Sequence, residues 1–288
     1  MINKSDIIVV IIIHKSDPTN SEIASLIQCH KILKNYRIDL ICPLGLDVEQ
    51  YKKHVSRLNI NEIDPKWQSS YRKFNRLKIE PFLYKKYANF KFMLFYELDA
   101  WVFQDKLLEW CEKDYDFIGA PWVKDFSDKK KFDGFWEVGN GGFSLRKISS
   151  HLKALHLFSF IEKPRSILSE ILNRKLIASK FRGLLYFPVR LIIGNNTHHL
   201  LNKYPDNEDV FWTQVVGKNF SWFKVAPIDD AVNFSFEMYP EECYKLNKEE
   251  LPFGCHAWEK YNKDFWKNFI NPQDVDKETM SIDFSVEI

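Results

Sequence analysis

NFKFMLFYELDAWVF, residues 89–103, is an aromatic and β-branched run interrupted by the carboxylates Glu97 and Asp99. Such a run is typical of a buried strand, and residues two positions apart leave an extended strand on the same face. The two carboxylates would repel one another there, and a divalent cation such as Mg²⁺ or Mn²⁺ would relieve the repulsion. The spacing alone leaves open that one carboxylate faces solvent or an arginine across the sheet.

The start of the chain predicts a β-α-β unit. Residues 7–15, IIVVIIIHK, are typical of a strand covered on both faces of a parallel sheet. A helix is expected from Ser21 to Tyr36, with Asn20 or Ser21 as its N-cap, and YRIDLICPLG then predicts a second strand. The segment Tyr71–Tyr87 again has a helical pattern. We therefore expect an α/β fold.

The composition favours a folded protein without nucleic acid as a partner. The 288 residues are 45% hydrophobic and 16% aromatic, and the formal net charge of +2 gives no concentrated basic field. Five cysteines form no C-x-x-C pair, which fits a reducing cytoplasm. The apolar run Ile7–Ile13 is far shorter than the roughly 20 residues that span a bilayer. A cytoplasmic protein is expected.

A basic segment, residues 151–204, divides the chain. Its lysines and arginines outnumber its acids, which are only Glu162 and Glu170. We expect this segment to be a helical insertion that is interrupted at Pro188. A basic amphipathic helix can lie on an anionic membrane, although a solvated charged face over ordinary core contacts is equally compatible. The expected organisation is a catalytic domain of residues 1–270 containing this insertion, followed by a polar acidic tail, residues 271–288.

Five motifs in one order resemble a known family. They are YELDAWVF, YDFIGAPW, VGNGGFSLR, NEDVFW and FGCHAW. In this order they resemble GT-A glycosyltransferase-like domains first catalogued as a domain of unknown function, over about Ile7–Trp258. The resemblance implies a single GT-A domain with a mostly parallel mixed central sheet. It also implies that the donor substrate is a nucleoside-diphosphate-sugar.

The resemblance also implies a metal site. Glu97-Leu98-Asp99 stands at the position of the D-x-D motif of GT-A enzymes. By this resemblance Asp99 holds the cation, whereas Glu97 contacts the ribose or a metal-bound water. His256 of FGCHAW is the candidate for a late metal ligand, and the competing interpretation is a histidine hydrogen-bonded in an aromatic core beside Phe253 and Trp258.

An acidic pair carries the expected acid–base chemistry. Glu208 and Asp209 in NEDVFW are similar to the pair that inverting GT-A enzymes place beneath the acceptor. Asp209 is then the base that removes the hydroxyl proton, and Glu208 orients the acceptor. A helix N-cap or helix-dipole role is the alternative. In a retaining enzyme, the pair would only bind sugar hydroxyls.

The remaining candidates concern the donor site. Asn140, Gly141 and Gly142 form a tight turn that would pass close to the donor sugar or the acceptor, unless it is a plain β-turn. His14 and Lys15 beyond the first strand are expected to contact the nucleotide, with Tyr71 and Asn75 at its base. Trp122 would offer a stacking surface for a sugar, unless it is a buried tryptophan. The loop with Lys129, Lys130 and Lys131 would fold over the donor, unless it is only a solvated loop.

The resulting hypothesis is a metal-dependent glycosyltransferase. It would move a sugar from a nucleoside-diphosphate-sugar to a hydroxyl of a glycan or glycolipid, in surface polysaccharide or lipopolysaccharide synthesis, with residues 151–204 as a peripheral membrane contact. One rival is a metal-dependent nucleotidyltransferase, although we find no phosphate-gripping glycine-lysine loop near the first strand. The other rival is a non-catalytic carbohydrate-binding or membrane-associated scaffold.

Overall fold

A six-stranded mixed sheet forms the centre of the computed structural model, which describes residues 1–55, 58–124, 132–156, 163–195, 200–201 and 204–272. The strands in chain order are β1 (Ile7–Ile12), β2 (Arg37–Pro43), β3 (Asn59–Ile63), β4 (Phe92–Tyr96), β5 (Trp101–Val102), β6 (Phe117–Ile118), β7 (Pro121–Val123), β8 (Phe135–Val138), β9 (Phe143–Lys147), β10 (Ser235–Phe236) and β11 (Gly254–Cys255).

The central sheet has the order β3-β2-β1-β4-β9-β6. The pairings β1 with β2, β1 with β4 and β2 with β3 are parallel, whereas β9 runs antiparallel to both β4 and β6. Every residue of β1 is buried, as its uninterrupted apolar sequence predicts for a strand with both faces covered. The expected α/β fold with a mostly parallel mixed sheet is confirmed.

Helices cover the sheet and form the insertion. In chain order they are α1 (Asn20–Ile32), α2 (Glu49–Lys52), α3 (Tyr71–Leu77), α4 (Pro81–Lys86), α5 (Leu107–Glu112), α6 (Ile148–Ala154), α7 (Pro164–Leu172), α8 (Ile177–Gly194), α9 (Glu208–Val210), α10 (Gly217–Asn219), α11 (Ile228–Phe234), α12 (Pro240–Leu246) and α13 (Lys263–Trp266). A π-helical segment, Phe211–Val216, joins α9 to α10.

The expected boundaries of α1 were wrong at both ends. Thr19 is the N-cap, because its hydroxyl accepts a hydrogen bond from the backbone N–H of Glu22 while the Glu22 carboxylate accepts one from the N–H of Thr19. The helix ends at Ile32, since the chain must turn before β2, and the N–H of Tyr36 donates to the carbonyl of Leu33 in that turn.

The single helix expected over Tyr71–Tyr87 is two helices, α3 and α4. Glu80 has an extended backbone, with φ −83° and ψ 130°. The ring of Pro81 disfavours helical geometry in the residue before it, which breaks the pattern there and begins a new helix. Lys78 caps the end of α3 at this break and is buried. The break therefore carries a lysine into the interior.

The carboxylates of Glu97 and Asp99 lie just beyond β4. The extended geometry expected for them was wrong, because the backbone turns from Glu97 to Ala100, where the N–H of Ala100 donates to the carbonyl of Glu97. After the turn, β5 joins a second sheet of order β10-β11-β5, with Trp101 opposite Cys255. This pairing brings the residue after β11, His256, beside the turn.

Within residues 151–204, the described part contains the helices α7 and α8, which form a hairpin. The interruption expected at Pro188 was wrong, because α8 continues through this proline. A proline removes one donor from the helical hydrogen-bond ladder and crowds the carbonyl of the preceding turn, which can kink a helix without ending it. Among the described residues, no helix has the length and apolar character needed to cross a bilayer. Lys129, Lys130, Lys131 and the tail from residue 273 onwards lie outside the described residues.

Candidate active site

Three side chains that can bind a metal meet at the end of β4. Glu97 and Asp99 lie in the turn after this strand, and His256 follows β11. Each offers one ligand atom, and these atoms all lie within 4.8 Å of one another. Nε2 of His256 is 3.2 Å from Oδ1 of Asp99 and 3.6 Å from Oε2 of Glu97. The pairing of β5 with β11 thus assembles residues that are far apart in the sequence.

His256 is held by its other ring nitrogen. Nδ1 lies 3.0 Å from the side-chain amide of Asn140 and 3.2 Å from Oε1 of Glu237. A carboxylate in the position of Glu237 accepts the Nδ1 hydrogen of a histidine that binds metal through Nε2. Burial alone would lower the pKa of His256, but the carboxylates of Asp99, Glu237 and Glu97 outweigh burial and raise this pKa well above its ordinary value.

These residues fit a divalent cation. Among the described residues, buried Nε2 of His256 has no hydrogen-bond partner, although two carboxylates lie close to it. An imidazole nitrogen with carboxylate oxygens is a donor set that suits Mn²⁺. Asp99 keeps about half of its side chain exposed, with a relative accessibility of 49%, and therefore remains open to the adjoining cavity.

A chain of buried charges runs from Glu97 into the interior. Lys78 donates to Glu97, and its ammonium lies 3.6 Å from Glu208. Glu208 also accepts a hydrogen bond of 2.9 Å from Arg146, which is fully buried on β9. Burial would raise the pKa of Glu97, but Lys78 and His256 overcome it and lower this pKa. Alternating charges therefore hold Glu97 ionised and fix Glu208 in place.

Asp209 has different electrostatic surroundings from its neighbour Glu208. Within the described residues no ion pair involves Asp209, because Glu208 takes the nearby cations Lys78 and Arg146. Burial and the negative charge of Glu208 raise the pKa of Asp209 to about 7, although the N–H of Val210 donates to its carboxylate over 2.8 Å. A carboxylate with this pKa is suited to accept a proton near neutral pH.

The glycine turn packs directly against both groups of acids. A Cβ at Gly141 would lie 1.6 Å from Oε1 of Glu208, and one at Gly142 would lie 2.0 Å from Nε2 of His256. The positive φ of this turn, 55°, falls on Asn140, whose side-chain oxygen accepts from the N–H of Gly142. The two glycines are therefore required for close approach.

Two cavities meet at the metal-binding cluster. The first, of about 430 Å³, lies beyond β1 and is lined by residues that include His14, Lys15, Tyr71, Glu97 and Asp99. The second, of about 380 Å³, shares Tyr71, Phe74 and Glu97 with the first. It is lined in addition by Asn75, Lys78, Trp122, Trp136, Asn140, Gly141, Gly142, Glu208, Asp209, Glu237 and His256.

Sequence comparison identifies the family. The family described as "Protein of unknown function (DUF5672)" matches residues 57–256, which include the glycine turn, both acidic pairs and His256. The chain belongs to this family. A comparison with curated proteins finds no match.

Several solved glycosyltransferases are similar to the chain in structure. The galactosyltransferase LgtC, in complex with donor and acceptor sugar analogs, is 10% identical with a TM-score of 0.49, covering 95% of each chain. Mouse xyloside xylosyltransferase 1 is 9% identical with a TM-score of 0.44, covering 86% of this chain and 96% of its own. Core-mannan synthase A from Aspergillus fumigatus, in a Mn/GDP form, is 10% identical with a TM-score of 0.40, covering 78% and 73%. These are distant similarities.

Most of the residues expected from the sequence line the two cavities. His14, Lys15 and Tyr71 line the first, and Trp122 lines the second. Asn75, which was expected at the base, lines the second cavity, and its side chain accepts from the N–H of Glu208 and donates to the carbonyl of Tyr71. This asparagine thus positions the start of α9.

Sequence reasoning missed Lys78, Arg146 and Glu237. A signal existed for Glu237, because this acid directly follows the short buried strand β10, as Glu97 directly follows β4. Arg146 follows the uncharged residues Phe143, Ser144 and Leu145 of β9, and an arginine inside a strand with buried neighbours indicates an acidic partner. Lys78 carries no such signal, since its burial depends on the break between α3 and α4.

Proposed function

We propose that this protein is a divalent-cation-dependent glycosyltransferase that moves a sugar from a nucleoside-diphosphate-sugar to a hydroxyl of a glycan or glycolipid. The observation that carries this proposal is the position of Glu97, Asp99 and His256 where two cavities meet, with Asp209 lining the second cavity. The nucleotide occupies the first cavity, against Tyr71, His14 and Lys15. The transferred sugar and the acceptor occupy the second.

The side chains around the cation have distinct tasks in this proposal. Asp99 and His256 hold the cation directly, while Glu97, restrained by Lys78, contacts the ribose or a metal-bound water. A bound Mn²⁺ or Mg²⁺ supplies positive charge beside the departing diphosphate. Glu237 keeps the imidazole of His256 oriented. Asn140, Gly141 and Gly142 allow the sugar to pass close to the backbone.

Asp209 acts on the acceptor. Its carboxylate takes the proton of the attacking hydroxyl as the acceptor oxygen bonds to the anomeric carbon, and the bond from that carbon to the diphosphate oxygen breaks. The nucleoside diphosphate leaves, and the anomeric configuration inverts. Glu208, held by Arg146, keeps Asp209 at the cavity wall and raises its proton affinity. The proposed setting is surface polysaccharide or lipopolysaccharide synthesis in the cytoplasm, where the five buried free cysteines remain reduced.

A donor panel tests the proposal against its rivals. The protein is incubated with uridine-, guanosine-, cytidine- and thymidine-diphosphate sugars and Mn²⁺, and the release of nucleoside diphosphate is measured with and without EDTA. We expect release from one nucleotide class, lost with EDTA and in Asp99→Asn. Pyrophosphate formation from a nucleoside triphosphate and a sugar phosphate would instead support a nucleotidyltransferase. Glycan binding without any nucleotide turnover would support a carbohydrate-binding scaffold.

A further inference from the structure

A stripe of exposed apolar side chains runs along α8. Ile177, Phe181, Leu185 and Ile192 recur at helical spacing, with relative accessibilities of 83%, 66%, 65% and 58%. Further large apolar residues of the hairpin are exposed to lesser or similar degrees, and these are Leu168, Leu172, Leu176, Leu184, Tyr186, Val189 and Ile193. An apolar surface of this kind marks an interaction site.

The opposite side of α8 packs against α7. Gly183 is buried, and a Cβ there would lie 2.7 Å from a side-chain carbon of Ile171. Ile167 and Ile171 are the buried residues of α7. Gly183 is two residues from Phe181 and Leu185, which places it on another face of the helix. The hairpin thus closes its inner side on itself and presents the stripe outward.

Basic residues accompany the stripe. Between Lys163 and Asn195 the chain has seven lysines and arginines and one acid, Glu170. Arg174 and Arg190 both pair with this glutamate, at 3.2 Å and 2.7 Å. Lys175, Lys180 and Arg182 remain around the exposed apolar residues, with Lys180 and Arg182 directly beside Phe181. The surface is therefore apolar in its centre and cationic at its flanks.

We propose that the α7–α8 hairpin docks on an anionic lipid surface, with Ile177, Phe181, Leu185 and Ile192 entering the acyl boundary and the flanking cations facing the headgroups. The charge selects this occupant, because a second copy of the chain would bring two strongly cationic hairpins together. Resting on the proposed function, this docking implies that the acceptor is anchored in the same membrane, as a lipid-linked glycan.

Vesicle sedimentation tests the docking. The full chain is mixed with vesicles of phosphatidylcholine alone or with 30% phosphatidylglycerol, at low and high salt. We expect sedimentation with the anionic vesicles that falls as salt rises, because headgroup attraction is screened. Phe181→Glu combined with Leu185→Glu should lower the partition coefficient roughly tenfold or more, since the variant lacks two apolar side chains that the membrane would bury.

A matched control keeps the result specific. Leu246 at the end of α12 is 58% exposed and lies outside the hairpin, so Leu246→Glu should leave vesicle binding unchanged. The absence of sedimentation by the wild-type chain, or equal binding to neutral vesicles at all salt concentrations, would overturn the proposal. So would a dimer in analytical ultracentrifugation that Phe181→Glu with Leu185→Glu dissociates, because a second copy would then occupy the stripe.

The outcome for docking is separable from the outcome for catalysis. The double glutamate variant should retain the wild-type rate of metal-dependent donor hydrolysis, because the substitutions lie outside both cavities. Salt-sensitive vesicle binding without donor turnover would leave the docking intact and contradict the proposed function. Donor turnover without vesicle binding would leave the function intact and contradict the docking.

Discussion

Glu208 and Asp209 are neighbours with different electrostatic surroundings. Glu208 pairs with Arg146 and lies 3.6 Å from the ammonium of Lys78. Asp209 is then left beside a negative charge and partly buried, which raises its pKa to about 7. One carboxylate thereby stabilises the site, while the other is available to exchange a proton with a substrate.

The pH dependence of the reaction follows from Asp209. A base must be ionised to act, so kcat/KM of wild type should rise with pH and level off above about 7. Asp209→Asn should lower kcat by about 10²–10⁴-fold above pH 7, where the wild-type carboxylate is ionised, and by less at lower pH. Initial rates at saturating Mn²⁺ from pH 5.5 to 9 measure both effects. A variant with wild-type rates would remove Asp209 from the reaction.

The contribution of Asp209 to the stability of the fold should fall as pH rises, whereas kcat/KM rises. The folded protein holds the Asp209 proton up to about pH 7, whereas an unfolded aspartic acid loses it near pH 4. Between these values the folded state binds more protons, so this residue makes the protein less stable as pH rises. Asp209→Asn should therefore raise the Tm of the metal-free protein at pH 8 relative to wild type, and by less at pH 5. A lower Tm of the variant at pH 8 would contradict the assigned surroundings of Asp209.

Substitutions of Glu97 and Asp99 should have different effects on Mn²⁺ affinity. Asp99 is half exposed toward the first cavity, whereas Glu97 is already engaged by Lys78. Asp99→Asn should weaken Mn²⁺ binding by more than tenfold, and Glu97→Gln should weaken it less, because Lys78 already offsets the charge of Glu97. Isothermal titration with Mn²⁺ measures both affinities. Equal losses would show that both carboxylates bind the cation alike.

Two features of the secondary structure assemble the site. Antiparallel pairing of β5 with β11 brings His256 to the turn after β4. The glycine turn before β9 then fits between His256 and Glu208, and the N–H of Glu97 donates to the carbonyl of Gly142. A single short segment thus contacts both the metal-binding cluster and the acidic pair.

Alanine substitutions in this turn should separate the two halves of the site. Gly142→Ala places a Cβ 2.0 Å from Nε2 of His256 and so displaces the imidazole, and Mn²⁺ affinity should fall by about tenfold or more. Gly141→Ala displaces Glu208 instead, so kcat should fall while Mn²⁺ affinity changes little. Each variant serves as the control for the other in metal titrations and donor assays. Identical effects of the two substitutions would contradict this division.

The sequence predicted the parts of the site that follow local rules. The apolar runs of β1 and β4 identify buried parallel strands, and the acids directly after β4 mark a sheet edge. Lys78 could not be predicted, because its burial results from a helix break and from acids that are distant in the chain. Asp209 could be nominated as a base by resemblance, but its raised pKa depends on how Glu208 is paired.

Cation binding should stabilise the folded protein against unfolding. The ligands come from the turn after β4 and from the residue after β11, so the site exists only when both sheets have formed. At a Mn²⁺ concentration 100-fold above Kd, linkage contributes about 2.7 kcal/mol, which corresponds to a Tm increase of about 5 °C in a protein of this size. Thermal unfolding with and without Mn²⁺ measures it, and His256→Ala should show little increase. An equal increase in the variant would place the cation elsewhere.

Asp99 and His256, with Glu97 beside them, should hold a cation that binds the diphosphate of a nucleotide. Titration of the wild-type protein with uridine and guanosine diphosphates, in Mn²⁺ and in EDTA, tests it most directly. We predict that at least one nucleotide binds in Mn²⁺, that EDTA weakens this binding by more than tenfold, and that Asp99→Asn has the same effect. Nucleotide binding of equal strength in EDTA and in Asp99→Asn would contradict the account.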